Sequence, residues 1–95
     1  MQEFFMEFDS VHNYYDRLVF NEIAENYTER DLNSEQLADM ACIALNHLPP
    51  RYIRYDIDMS FYMSGQERME TEERVRRAVH SAYARIKKLD HLTEE

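Results

Sequence analysis

Gly65 is the single glycine in a chain of 95 residues. Loops that cradle phosphate, such as G-x-G-x-x-G or G-x-x-x-x-G-K-[ST], need several glycines so that backbone N–H groups can approach the anion. Rossmann and P-loop enzymes are therefore excluded. The other punctuation is equally sparse: two adjacent prolines, Pro49-Pro50, and one cysteine, Cys42. A lone cysteine closes no internal disulfide and no cysteine-based zinc cage; within an apolar helical run it is expected to be buried, in a reducing compartment. No window approaches the roughly 18 apolar residues of a membrane span, and the acidic start MQEFFMEFDS carries no basic region of an export signal. The expected setting is the cytoplasm, away from membranes.

A chain of this length buries only about 60–65% of its unfolded surface, so its core is thin and a second copy is expected to help. Its formal charge is −8. Residues 1–50 hold Arg17 and Arg30 against ten acids, whereas 51–95 hold nine bases and nine acids, so the whole excess is N-terminal. Such a field repels duplex DNA, and nucleic acid is not an expected partner.

The chain reads as one domain, 1–95, with an N-terminal arm over 1–9 and a frayed tail over 90–95. The arm carries Phe4, Phe5, Met6 and Phe8 and is expected to dock on the body or on a partner. Asp9 or Ser10 can cap a first helix over about 10–28, in which Val11, Tyr14/Tyr15, Leu18/Val19, Ile23 and Tyr27 recur at helical steps. Its other face, including Asn13, Asp16 and Arg17, is expected to be solvated. Asn33 and Gln36 make a capping-box pattern before Leu37, Met40/Ala41, Ala44/Leu45 and Leu48, and Pro49-Pro50 ends that second helix near Asn46 or His47. A further box, Ser64 with Glu67, opens a last helix to about Leu89 with the stripe Val75, Val79, Ala82, Ile86 and Leu89.

Between them the period changes. Ile53, Tyr55, Ile57, Met59, Phe61 and Met63 occupy the odd positions of 52–63, and the even ones are mostly polar, which predicts a strand with one wet face. Its unpaired backbone groups need a partner, either the arm or, preferred, the same strand of a second copy across a two-fold axis. The expected fold class is mainly α: a small three- to four-helix domain with one extended strand after the Pro-Pro turn, paired across a homodimer.

Chemistry-bearing residues are scattered. His12, His47, His80 and His91 lie on different elements without a metal-ligand spacing, Asp56 and Asp58 read as a solvated pair, and no nucleophile motif exists, so no enzyme activity and no metal are expected. Arg74, Arg76 and Arg77 are expected to pair with Glu70, Glu72 and Glu73. The segment with most local character runs from Leu45 to Tyr55. It leaves a helix end, turns stiffly at Pro49-Pro50 and presents Arg51 and Arg54 beside Tyr52 and Tyr55. Guanidinium forks and aromatic faces suit a nucleotide-sized anion; equally, the two arginines can answer the acidic first half through ion pairs.

Asn13-Tyr14-Tyr15 with Leu18-Val19, followed by Asp39 to Tyr52 (DMACIALNHLPPRY), closely resembles the late-competence ComFB-like family over roughly residues 11–86, most sharply from Ala44 to Tyr52. The resemblance implies a small, mostly helical, dimeric cytosolic protein without enzyme chemistry, linked to competence and, in several bacteria, to binding of cyclic dinucleotide second messengers. Many members carry cysteines before the matching helix, and some hold zinc there. Here Asn33 to Gln36 occupy that region, so no zinc or other cofactor is expected.

The leading expectation is a receptor for cyclic di-GMP or cyclic di-AMP in competence or motility-type signalling. Its ligand-binding set is Asn46, His47, Pro49, Pro50, Arg51, Tyr52, Arg54 and Tyr55. Arg51 and Arg54 would meet phosphate or guanine, Tyr52 or Tyr55 would stack, and Asn46 and His47 would supply hydrogen bonds. The alternative is a non-enzymatic acidic adaptor that engages a regulatory protein partner and no small molecule.

Overall fold

The computed structural model describes residues 8–93. Most of the arm, residues 1–7, and the last two residues of the tail lie outside the described residues. In chain order a single 3-10 turn (Phe8–Ser10) leads to β1 (His12–Asn13), α1 (Tyr15–Asn26), α2 (Ser34–His47), β2 (Tyr52–Ile53), α3 (Asp56–Tyr62) and α4 (Gly65–Thr93). The chain is mainly helical, with a two-stranded antiparallel sheet in which His12 faces Ile53 and Asn13 faces Tyr52. α4 packs on both α1 and α2, which also meet each other. The thinnest dimension is 22 Å, the depth of about two helices of 10–12 Å diameter.

The core follows the helical period. Tyr15, Val19, Ile23 and Tyr27 line α1 and its end; Met40, Ala44 and Leu48 line α2; Val75, Val79, Ala82 and Ile86 line α4, all buried in one cluster. Small residues at Ala44 and Ala82 let backbones approach where larger ones would hold them apart. Leu89, the expected last member of the α4 stripe, is exposed. The helix continues to Thr93.

Helix ends follow local chemistry. The Asn33–Gln36 box forms as expected, with the Gln36 N–H donating to Asn33 Oδ1 at 2.7 Å and the Asn33 N–H donating to Gln36 Oε1 at 2.9 Å. Ser64 and Glu67 form the second box at 2.8 and 3.1 Å. α2 stops at His47, and Leu48 is extended (φ −98°, ψ 133°), as a residue before proline must be. Between α1 and α2 the chain turns at Asp31, with φ 57°. Aspartate tolerates this left-handed region better than most residues, which serves a chain poor in glycine. Arg30 fastens the turn: its Nε donates to the Asn26 carbonyl at 3.0 Å, and its guanidinium lies over the rings of Tyr27 and Tyr83 at 4.6 and 5.2 Å.

Four expectations are corrected. α1 begins at Tyr15 rather than near residue 10, because His12 and Asn13 are committed to the sheet; no Asp9 or Ser10 cap is used. Asn13, assigned to a solvated helix face, is half-buried. Cys42 is exposed. The inward positions of α2 are 40 and 44, and residue 42 lies about 200° from each around the helix axis, on the opposite face.

The fourth correction concerns 52–63. Only Tyr52 and Ile53 are strand, and they pair with β1 of the same chain; residues 56–62 are helical. Burial here steps by three and four: Asp56 and Met63 are half-buried and Met59 is buried, while Ile57 and Phe61, at the odd positions of the apparent alternation, face solvent. Asp56 and Asp58 fall in the first turn of α3, where carboxylates oppose the positive end of the helix dipole. An eleven-residue strand edge that needed a second copy does not exist, and that argument for a dimer goes with it. No described helix is long and apolar enough to cross a membrane.

Candidate functional site

Arg51, Tyr52, Arg54 and Tyr55 are brought together as one exposed turn between the double proline and α3. Its backbone is clipped to the start of α1. The Asn13 side-chain oxygen accepts from the Arg51 N–H at 2.9 Å and from the Tyr15 N–H at 3.3 Å, and the Tyr14 N–H donates to the Arg51 carbonyl at 2.6 Å. One amide oxygen thus accepts both from the first N–H of α1 and from a segment 38 residues away. Arg54 Nε donates to Ser10 Oγ at 3.2 Å, its Nη2 donates to the Tyr55 hydroxyl at 3.1 Å, and its guanidinium sits 5.0 Å from the centre of the Tyr55 ring. Among the described residues the Arg51 guanidinium makes no hydrogen bond or ion pair, so the expected answer to the acidic half is not formed there.

Asn46 and His47 point elsewhere. Asn46 Nδ2 donates to the Cys42 carbonyl and His47 Nδ1 to the Ile43 carbonyl, each at 3.0 Å, so both turn back along α2. His47 borders a shallow groove of about 330 Å³ with Ile43, Ser81, Ala84, Arg85 and Lys88. Pro49 and Pro50 are exposed and stiffen the connection.

Below the turn, His12 joins three elements. Its Nδ1 lies 2.9 Å from the Ser10 carbonyl and its Nε2 lies 2.9 Å from Asp56 Oδ1, while Arg17 Nε approaches Asp56 Oδ2 at 3.4 Å. Two oxygen acceptors are satisfied together only by the doubly protonated ring. The Asp56 hydrogen bond first, and the Ser10 carbonyl second, hold the His12 pKa above its ordinary value. Asp56, expected to be one of a solvated pair, is therefore partnered by His12 and Arg17.

Beside Arg51 a polar cleft of about 230 Å³ is lined by Tyr62, Met63, Glu67, Glu70, Thr71 and Arg74. Arg74 Nη1 donates to the Tyr15 hydroxyl at 3.2 Å, and the Tyr14 hydroxyl reaches Met63 Sδ at 3.7 Å, with burial pushing the Tyr14 pKa up. Sites for drug-sized ligands begin near about 300 Å³, so this cleft admits a phosphate or the edge of one base. A larger depression, about 910 Å³, is lined only by residues of α4 between Gln66 and Arg77; one helix cannot enclose a ligand. There Arg76 pairs with Glu73, whose carboxyl this contact holds below its usual range, whereas Arg74, expected to pair with a glutamate of the same helix, donates to the Tyr15 hydroxyl.

Sequence reasoning missed Asn13, Ser10, His12, Tyr62 and Arg74 as neighbours of the turn. Their contacts join positions 38 to 59 residues apart, beyond any local pattern. Residues 12–89 match the family model described as late competence development protein ComFB. No curated protein and no solved structure matches the chain.

Proposed function

The chain belongs to the ComFB family, and from that premise we propose that it is a small competence-related regulatory protein that binds a cyclic dinucleotide at the turn 51–55. The observation that carries this reading is the pairing of exposed Arg51, Tyr52, Arg54 and Tyr55 with a backbone held by Asn13 and Tyr14. A site whose backbone is already ordered spends less binding free energy on ordering. Arg51 would take a phosphate oxygen or a guanine edge, and Tyr52 or Tyr55 would stack on a base. Arg74 faces the same cleft and can hold a second phosphate oxygen from α4. Asn46 and His47 would join only after giving up their bonds to α2, so they are the weaker members of the set. The role is one of binding, with no catalytic step.

Calorimetric titration of the purified protein with cyclic di-GMP and, separately, cyclic di-AMP tests the reading. One of the two is expected to bind with Kd near or below about 1 μM, close to −8 kcal/mol, and the Arg51→Ala/Arg54→Ala double variant is expected to abolish the heat. No heat from either nucleotide would overturn it. The adaptor reading would then stand, supported by Phe20 exposed on α1, a helix that also presents Glu25 to solvent.

A further inference from the structure

We propose that the groove between α2 and α4 is a docking site for an acidic segment of a partner protein. Residues 74–89 hold six of the eleven Lys and Arg residues and no Asp or Glu, so this stretch carries +6 and the rest of the chain −14. Arg77, Ser81, Arg85 and Lys88 follow one another at steps of four, four and three. That spacing sets them along one exposed side of α4, turned away from the buried Val75, Val79, Ala82 and Ile86. Within the helix, Arg85 and Lys88 have no carboxylate three or four residues away in either direction. Among the described residues neither makes a hydrogen bond or an ion pair. Two like charges three residues apart repel, and an anion held between them removes that cost.

The groove, about 330 Å³, is lined by Ile43 and His47 of α2 and by Ser81, Ala84, Arg85 and Lys88 of α4, with no carboxylate among them. The guanidinium, the ammonium and the Ser81 hydroxyl can all donate to a carboxylate, and Ile43 and Ala84 supply an apolar floor. Length, stacking and the floor select a peptide over a nucleic acid. At 1.5 Å per residue the stripe from Arg77 to Lys88 is about 16 Å long, the span of about five residues of extended chain. A longer polyanion runs past it into the field of the acidic remainder, whereas a short segment stays within a Debye length of about 8 Å of the stripe. No phenyl or phenol ring lines the groove to stack a base. The apolar floor gains from an aliphatic side chain, which a sugar-phosphate chain lacks. None of Arg51, Tyr52, Arg54 and Tyr55 lines this groove, so the nucleotide reading and this one fail separately.

Fluorescence anisotropy of the hexapeptide Glu-Glu-Leu-Glu-Glu-Leu, amidated and carrying a neutral dye on its N-terminus, measures the outcome in about 100 mM salt, where the Debye length is about 10 Å. The parent protein is expected to bind it with Kd of roughly 10–100 μM, and Arg85→Ala/Lys88→Ala at least about tenfold more weakly with unchanged helical circular dichroism. Arg68→Ala/Lys87→Ala, which removes the same charge from elsewhere on α4, should stay within about threefold of the parent. No anisotropy change at about 1 mM protein would overturn the proposal. So would parent-like binding by Arg85→Ala/Lys88→Ala, equal weakening in the two double variants, or tighter binding of a thymidine pentanucleotide with the same dye and the same number of charges.

Discussion

In the body formed by α1, α2 and α4, apolar residues at three- and four-residue steps are buried; in the segment 51–62, Ile57 and Phe61 have the same chemistry and face solvent. What holds the segment to the body is chiefly polar: the Asn13 clip on Arg51, the Tyr14 N–H on the Arg51 carbonyl, and the His12–Asp56–Arg17 junction. Burial is non-directional and grows with area, so the body tolerates small shifts as long as volume is filled. Hydrogen bonds are few and directional, so the segment keeps one register only while each partner is present. The difference implies that the segment opens at lower free energy than the body.

Substitutions that act on one region and spare the other can break this comparison. The largest effect is expected at Met40, fully buried in the body. Met40→Ala should destabilise by about 2–5 kcal/mol in urea unfolding, while Phe61→Ala should stay within about 0.5 kcal/mol. Equal losses would mean that α3 belongs to the cooperative core. Asn13→Ala should cost about 1–2 kcal/mol by orphaning the Arg51 and Tyr15 N–H groups. Its sharper signature is faster hydrogen exchange at Arg51 and Tyr52 with Val79 unchanged; acceleration at Val79 to the same degree would merge the two regions. Arg30→Ala, which removes the guanidinium from between Tyr27 and Tyr83, should cost about 0.5–1 kcal/mol and alter the near-ultraviolet tyrosine signal.

The smallest effect concerns His12 and pH. Its folded pKa is raised above the ordinary value, so its contribution is fully present below the unfolded value of about 6.5 and disappears as pH rises through the folded value. The melting temperature of the parent should therefore exceed that of His12→Gln in mildly acidic buffer, and the two should converge above neutrality. A gap that widens with pH would show that the ring is neutral in the folded state.

Much of the body was legible in the sequence because its determinants are local. Both capping boxes, the stop at Pro49-Pro50, and the stripes Tyr15/Val19/Ile23/Tyr27, Met40/Ala44/Leu48 and Val75/Val79/Ala82/Ile86 each lie within one element. The segment 52–63 was misread for a physical reason. With an apolar residue at every odd position, a pattern of period two also contains the four-residue steps of a helix, Met59/Met63 inward and Ile57/Phe61 outward, and seven residues are too few to separate the two periods. Asn13 could not be placed at all from its neighbours, since the residue that needs it, Arg51, is supplied by the far end of α2.

The sequence by itself determined which stretches are helical in the body, where α2 stops, and that the acidity belongs to the first fifty residues, because propensity, caps and charge are properties of neighbouring positions. Only the tertiary structure decided that β2 pairs with β1 of its own chain, that Asp56 answers His12 and Arg17, and that Asn46 and His47 turn away from Arg51. Those outcomes depend on which backbone N–H, carbonyl or side-chain charge is left without a partner once α1, α2 and α4 have packed.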